Sequence, residues 1–187
     1  MSTMNGRTSV IERRTKETEI SVTVGIDGSG KYNVECADTF LKHMIETLSR
    51  YSSSDISLKA SGDDGHHLVE DVGITLGTAF KNAVGKDPIE RMATSTVVMD
   101  DAMVTVSLDI VDRPYAEIDC PDSLYNHFFR SFAMSAGITL HIVVIRGFDD
   151  HHMIEASFKA LGKCLKNAVV KRKAELSTKD KASVKGV

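Results

Sequence analysis

The residues best equipped for chemistry occur as a repeated block. His66-His67-Leu68-Val69-Glu70 returns as His151-His152-Met153-Ile154-Glu155, 85 positions later (151 − 66). At the same offset Asp64 meets Asp149, Leu76-Gly77 meets Leu161-Gly162, and Lys81-Asn82-Ala83-Val84 meets Lys166-Asn167-Ala168-Val169. One such block alone reads as a solvated helix start. Two copies inside matching frames read as an internal duplication that carries a metal site.

On a helix, His66 lies four residues and His67 three residues before Glu70, so each pair can share a face. Adjacent histidines leave a helix about 100° apart, which makes it hard for both to chelate one ion. Each His-His pair is therefore expected to serve two metal centres, one histidine to each. The two blocks then supply four histidines and two glutamates. Imidazole with carboxylate suits manganese, iron or zinc. Six donors are too few for two octahedral ions with positions open to substrate, and His43 and His141 are the best remaining candidates. His127 misses the repeat position of His43 by one residue. Any of these three, taken alone, is more often structural. On pattern alone Glu17, Arg91, Arg113 and Lys159 read equally well as surface residues.

The elements that must position these side chains follow from periodicity. Ile20, Val22, Val24 and Ile26 alternate with small polar residues as a half-buried strand does. Asp27-Gly28-Ser29-Gly30 is a hairpin signal, and Tyr32, Val34 and Cys36 form the returning strand. Asp38 or Thr39 caps a helix with Phe40, Leu41, Met44, Ile45 and Leu48 as its stripe. A strand at Ile56, Leu58 and Ala60 leads to the first His-His helix, ended by Gly85 and Pro88. The same order restarts with a strand at Val104 to Ile110 and a short extended piece at Tyr115 to Ile118. A helix capped by Asp122 or Ser123 follows, then a strand at Ile138 to Val144 and the second His-His helix. The expected fold is α+β, two ββαβα half-domains, each a mostly antiparallel sheet with helices on one face. The first half-domain is assigned to residues 1–90, the second to 91–173, and a charged tail to 174–187. Composition alone reads that tail as a solvated terminus.

With 187 residues, 42% hydrophobic and 26% charged, the chain can bury one substantial core or two small halves sharing one. A net charge of −3 gives no global case for nucleic acid, although local Arg and Lys suffice for a small anion. No apolar run approaches the ~18–20 residues that span a bilayer, so no membrane partner is expected. The start Met1 to Arg7 lacks the apolar core of a secretory leader. Cys36, Cys120 and Cys164 are odd in number and scattered, forming neither a disulfide framework nor a CxxC pair. Together with seven histidines they point to a cytoplasmic protein with imidazole-carboxylate metal chemistry.

The ordered motifs resemble the imidazoleglycerol-phosphate dehydratase family of histidine biosynthesis. They are Arg14-Thr15-Lys16-Glu17-Thr18, Asp27-Gly28-Ser29-Gly30, Phe40-Leu41-Lys42-His43-Met44, the two His-His blocks, Arg113-Pro114-Tyr115, Thr139-Leu140-His141 and the terminal Ser183-Val184-Lys185-Gly186. The resemblance covers residues 14 to 187 and implies dehydration of imidazole glycerol phosphate to imidazole acetol phosphate. It implies a homo-oligomeric 24-subunit shell with active sites between subunits and two Mn²⁺ ions per site. The implied metal ligands are His43, His66, His67, Glu70, His141, His151, His152 and Glu155. Arg91, Arg113, Ser183 and Lys185 would hold the substrate phosphate, Glu17 and Lys159 would line the substrate site, and residues 174–187 would close over it once an anion is bound. Glu17, Glu70 and Glu155 are the implied catalytic carboxylates, with Glu17 the best unliganded candidate to move protons. Chemistry gives the metals a reason: held as imidazolate, the substrate ring becomes an electron source that can expel the side-chain hydroxyl. Competing readings are a metal-dependent hydrolase, a four-helix metal-storage bundle and an inactive shell-forming member.

Overall fold

The computed structural model describes residues 6–174 and 176. The first half contains β1 (Thr8–Arg14), β2 (Thr18–Gly25), β3 (Tyr32–Cys36), α1 (Thr39–Ser52), β4 (Asp55–Gly62) and α2 (Gly65–Val84). The second contains β5 (Met92–Met99), β6 (Ala102–Ile110), β7 (Tyr115–Ile118), α3 (Ser123–Ala136), β8 (Ile138–Arg146) and α4 (Asp150–Ala168). The two sheets have the same order, β1-β2-β4-β3 and β5-β6-β8-β7, with only the β3–β4 and β7–β8 pairs parallel. The duplicated α+β fold with mostly antiparallel sheets is therefore present. The sheets also set aside the four-helix storage reading.

Each half carries one strand more than its hydrophobic pattern announces. The additional strands, β1 and β5, are edge strands with no fully buried residue. In β5 the half-buried face is Ala93, Ser95, Val97 and Met99, while Met92 and Val98 face outward. Apolar side chains on both faces erase the period-two signal.

Asp27–Gly30 is not a hairpin turn. β2 and β3 both pair with β4, one on each side, so the loop passes across the end of that strand. Asp55, the first residue of β4, holds the loop by accepting from the backbone N–H groups of Ser29 (2.8 Å) and Lys31 (2.9 Å). A Cβ on Gly28 would stand 2.5 Å from Asp55, and Gly30 has φ +78°, so close approach and left-handed backbone explain the two glycines.

The inner faces of the sheets, such as Ile20, Val22 and Val24 on β2 and Val104 and Val106 on β6, are almost wholly buried. Between the halves the helices pair reciprocally, α2 against α3 and α4 against α1. Phe128, Phe129 and Phe158 form a ring cluster with centroids 4.7–5.6 Å apart. The repeated glycines mark the helix crossings. A Cβ on Gly77 would lie 2.5 Å from the Phe132 carbonyl oxygen and 3.1 Å from Ala136 N; one on Gly162 would lie 2.8 Å from Tyr51 Cβ and 3.0 Å from Ser52 N. Ser52 and Ala136 are themselves 84 residues apart (136 − 52), so the same close contact is built twice.

Candidate metal centre and active site

The starts of the helices are fixed by four aspartate caps. Asp38 accepts from Leu41 N and Asp122 from Leu124 N and Tyr125 N, which settles both caps on the aspartate. Asp64 accepts from His66 N at 2.6 Å, and Asp149 from His151 N at 2.8 Å and His152 N at 3.3 Å. The matched pair Asp64/Asp149 is thus a repeated cap that sets the direction in which each histidine pair leaves its helix.

The helix pairing across the halves creates two clusters. In the first, His66 and Glu70 of α2 meet His127 of α3, and one ligand atom from each lies within 4.8 Å of the others. In the second, His43 of α1 and His151 of α4 reach the same Glu155 oxygen, at 3.4 and 3.3 Å. His127 follows His43 by 84 residues (127 − 43), the spacing that also separates the starts of α1 and α3 (123 − 39). It is the true counterpart of His43. The one-residue miss arises because the offset is 84 before the loops that precede α2 and α4, and 85 after them.

The structure does not bring His141 to either cluster. On β8 the buried residues are Ile138, Leu140 and Ile142, so alternation turns His141 to the outer face of the second sheet. There it stacks beside Tyr115 with centroids 5.6 Å apart. Within this chain His127 occupies the place expected of His141. The helix-to-helix spacing of 84 was the signal that could have found it.

His67 and His152 turn away from their neighbours, as the helix angle requires. The rings of His66 and His67 are 6.3 Å apart at 79°, and those of His151 and His152 are 6.0 Å apart at 84°. His67 Nδ1 lies 3.2 Å from Asp63 Oδ1, and His152 Nδ1 lies 2.5 Å from Asp101 Oδ1. These hydrogen bonds push both histidines above the usual imidazole range.

The clusters are chemically unequal. Glu155 is buried, which by itself would raise its pKa; Lys159 Nζ at 2.8 Å, together with His43, outweighs that and holds the carboxyl below its ordinary value. The position equivalent to Lys159 in α2 is Ile74 (159 − 85), and the Glu70 side chain is 41% exposed. Lys159 therefore belongs to the second cluster, its ammonium donating to Met99 Sδ (3.1 Å) and lying over the Tyr51 ring (5.7 Å to the centroid).

Glu17 is exposed in the β1–β2 turn, where its carbonyl accepts from Asp63 N at 3.0 Å, close to the His67 partner. Arg91, at φ +68°, approaches Asp109 (2.7 Å) and donates to the Leu176 carbonyl (3.1 Å). It lines a cleft of about 780 Å³ with Lys81, Lys86, Asp112 and Gly137. Arg113 follows Asp112 on the exposed loop before β7, and its carbonyl accepts from Thr139 Oγ1. Ser183 and Lys185 lie outside the described residues.

Fold and donor set together define a duplicated α+β protein whose two halves jointly build paired imidazole-carboxylate clusters. The chain matches the family model for imidazoleglycerol-phosphate dehydratase over residues 37–165. Among curated proteins it is 45% identical over 177 residues to the imidazoleglycerol-phosphate dehydratase of Caldanaerobacter subterraneus, covering 87% of this chain and 91% of the relative. It is 44% identical over 175 residues to that of Acetivibrio thermocellus, covering 86% and 90%. The crystal structure of the Pyrococcus furiosus enzyme superposes with a TM-score of 0.81 at 34% identity, covering 90% of this chain and 98% of the other. The Staphylococcus aureus structure gives 0.79 at 28% identity, covering 88% and 99%. The chain belongs to the imidazoleglycerol-phosphate dehydratase family, metal-dependent hydro-lyases of histidine biosynthesis. Among the described residues no helix is long and apolar enough to cross a membrane.

Proposed function

We propose that this protein dehydrates imidazole glycerol phosphate to imidazole acetol phosphate at a site holding two manganese ions. The observation that carries this reading is the pair of His-Glu clusters, each assembled across the two halves by reciprocal helix contacts. The donors fit a divalent ion: one carboxylate with two imidazoles in each cluster and no thiolate. The eight proposed ligands are His43, His66, His67, Glu70, His127, His151, His152 and Glu155. His127 takes the place given to His141 by motif order. That set is three histidines and one glutamate per ion.

Within one chain, each cluster has two histidines and one glutamate, and His67 and His152 face elsewhere. A third histidine for each ion would come from a neighbouring copy. This supports active sites between subunits of a homo-oligomer, of which a 24-subunit shell is the family arrangement.

A metal pair held by these histidines and glutamates would supply positive charge that stabilises an anionic substrate ring. The protein's own groups orient the substrate and move its protons. Arg91 and Arg113 are assigned to the phosphate; Arg91 lines the cleft with Lys81 and Lys86, alongside Asp87 and Asp112. Ser183 and Lys185 are assigned to the same phosphate. Glu17, exposed beside the His67–Asp63 pair, is assigned the proton exchange with the substrate side chain. Lys159 holds the Glu155 carboxylate in place and presents a cation at the substrate side of that cluster.

The test is turnover of imidazole glycerol phosphate by metal-stripped protein, with and without added Mn²⁺. Manganese-dependent formation of imidazole acetol phosphate is expected. Absence of product from protein that demonstrably holds manganese would overturn the reading. A Glu17→Gln enzyme should bind substrate and lose most turnover; full turnover would remove Glu17 from the proton path.

A further inference from the structure

The outward-turned histidines share a feature that the other histidines of the two clusters lack. His43, His66 and His151 approach their glutamates through Nε2, at 3.4, 3.9 and 3.3 Å. His67 and His152 instead meet an aspartate through Nδ1, which leaves Nε2 turned the other way. Asp101 is itself held in place. Its second oxygen accepts from the backbone N–H groups of Phe148 (2.6 Å) and Asp149 (3.2 Å), in the loop that leads into α4. Asp100 Oδ2 lies 3.4 Å from His152 Nε2, beside the nitrogen left for an ion.

The two aspartates are not copies of one ancestral residue. Asp63 precedes α2, and its counterpart in the second half is Phe148 (63 + 85). Asp101 comes from the β5–β6 turn, and its counterpart in the first half is Glu17 (101 − 84). A contact carried along passively by duplication would occupy matching positions. Here the same contact, carboxylate to Nδ1, is made from two non-equivalent positions, which adjoin each other in both halves. That points to a requirement of the histidine rather than an accident of copying.

The requirement has a physical basis. An imidazole that donates from Nδ1 to a carboxylate keeps its lone pair on Nε2, has its ring plane fixed, and is a stronger donor to a metal. We propose that Asp101 and Asp63 are positioning residues that hold His152 and His67 as Nε2 metal donors, Asp101 the more firmly. The inference rests on the reading of these histidines as ligands. Asp101 is the tighter partner because its side chain is 30% exposed against 57% for Asp63, and its contact is shorter.

The experiment is titration of metal-stripped protein with Mn²⁺, followed by electron paramagnetic resonance, alongside the thermal midpoint of each variant. Asp101→Ala is expected to weaken one class of Mn²⁺ site by about 10–100-fold, the usual effect of removing such a partner. Asp63→Ala should weaken the other class by less. Asp101→Asn keeps an oxygen for Phe148 N and Asp149 N, so it should restore the thermal midpoint while binding manganese more weakly than wild type. His152→Ala provides the reference for a lost ligand. Wild-type affinity in both Asp101 variants, with His152→Ala impaired, would overturn the positioning role alone. Full recovery of affinity in Asp101→Asn would also overturn it, because support of the loop would then explain the alanine result. Wild-type affinity in His152→Ala would overturn the ligand reading itself.

Discussion

Replacing Gly77 with alanine tests whether the helix crossing sets the metal cluster. The new Cβ would stand 2.5 Å from the Phe132 carbonyl oxygen, where ordinary contact begins at 3.4 Å. The helices must therefore part locally by about 0.9 Å (3.4 − 2.5). The nearest atoms are backbone, so no side-chain rotation relieves the clash. Overpacking of this kind costs about 1–3 kcal/mol, against a gain of about 1 kcal/mol from removing a helical glycine. The expected net loss is up to about 2 kcal/mol. Gly65, in the same helix, has nothing within 4 Å of its Cβ position, and Gly65→Ala should gain up to about 1 kcal/mol. Opening α2 from α3 also separates His66 and Glu70 from His127, so Mn²⁺ affinity should fall in Gly77→Ala and hold in Gly65→Ala. Denaturant unfolding and metal titration of both variants check this. Equal stabilisation by the two substitutions would refute the packing argument.

Other substitutions address the site and its supports. His127→Ala should weaken one class of metal site by about 10²-fold, since zinc sites of about 10–16 kcal/mol divide into ~3 kcal/mol per ligand and manganese binds more weakly; His141→Ala should leave metal content unchanged by elemental analysis. Asp71→Ala should cost about 2 kcal/mol in denaturant unfolding, because Asp71 joins Arg13 (2.7 Å) and Thr18 (2.5 Å) to the start of α2 and Arg13 stays partly exposed. The Arg7 guanidinium holds Asp27 at about 2, below the ordinary carboxylate value of 3.8. The stability from that pair is complete above the ordinary value and is lost as pH falls from about 4 through about 2. Asp27→Asn should flatten this part of the acid-unfolding profile, and an unchanged profile would contradict the pairing.

Much of this architecture can be read from spacing. The strands with clean alternation, β2, β6 and the first part of β8, and all four amphipathic helices lie where periodicity puts them. β1 and β5 escape because edge strands bury little and need no regular pattern. The Asp27–Gly30 signal is a real turn chemistry, but it serves a crossing over β4, a long-range pairing that local sequence does not encode. Helix geometry alone predicts that adjacent histidine rings diverge, and they do. A single offset of 85 misses the match of His127 to His43, because the second half is one residue longer between β8 and α4 than the first is between β4 and α2. Asp63 and Asp101 could not be found by repeat matching, since their equivalent positions hold Phe148 and Glu17.

The central claim is that each adjacent histidine pair is shared between two ions. The most direct measurement is a crystal structure of the manganese-loaded protein, with the ions located by anomalous scattering. His66 and His67 should then coordinate different ions, as should His151 and His152, with His127 on the ion of His66 and Glu70. Both histidines of one pair on a single ion would contradict the account.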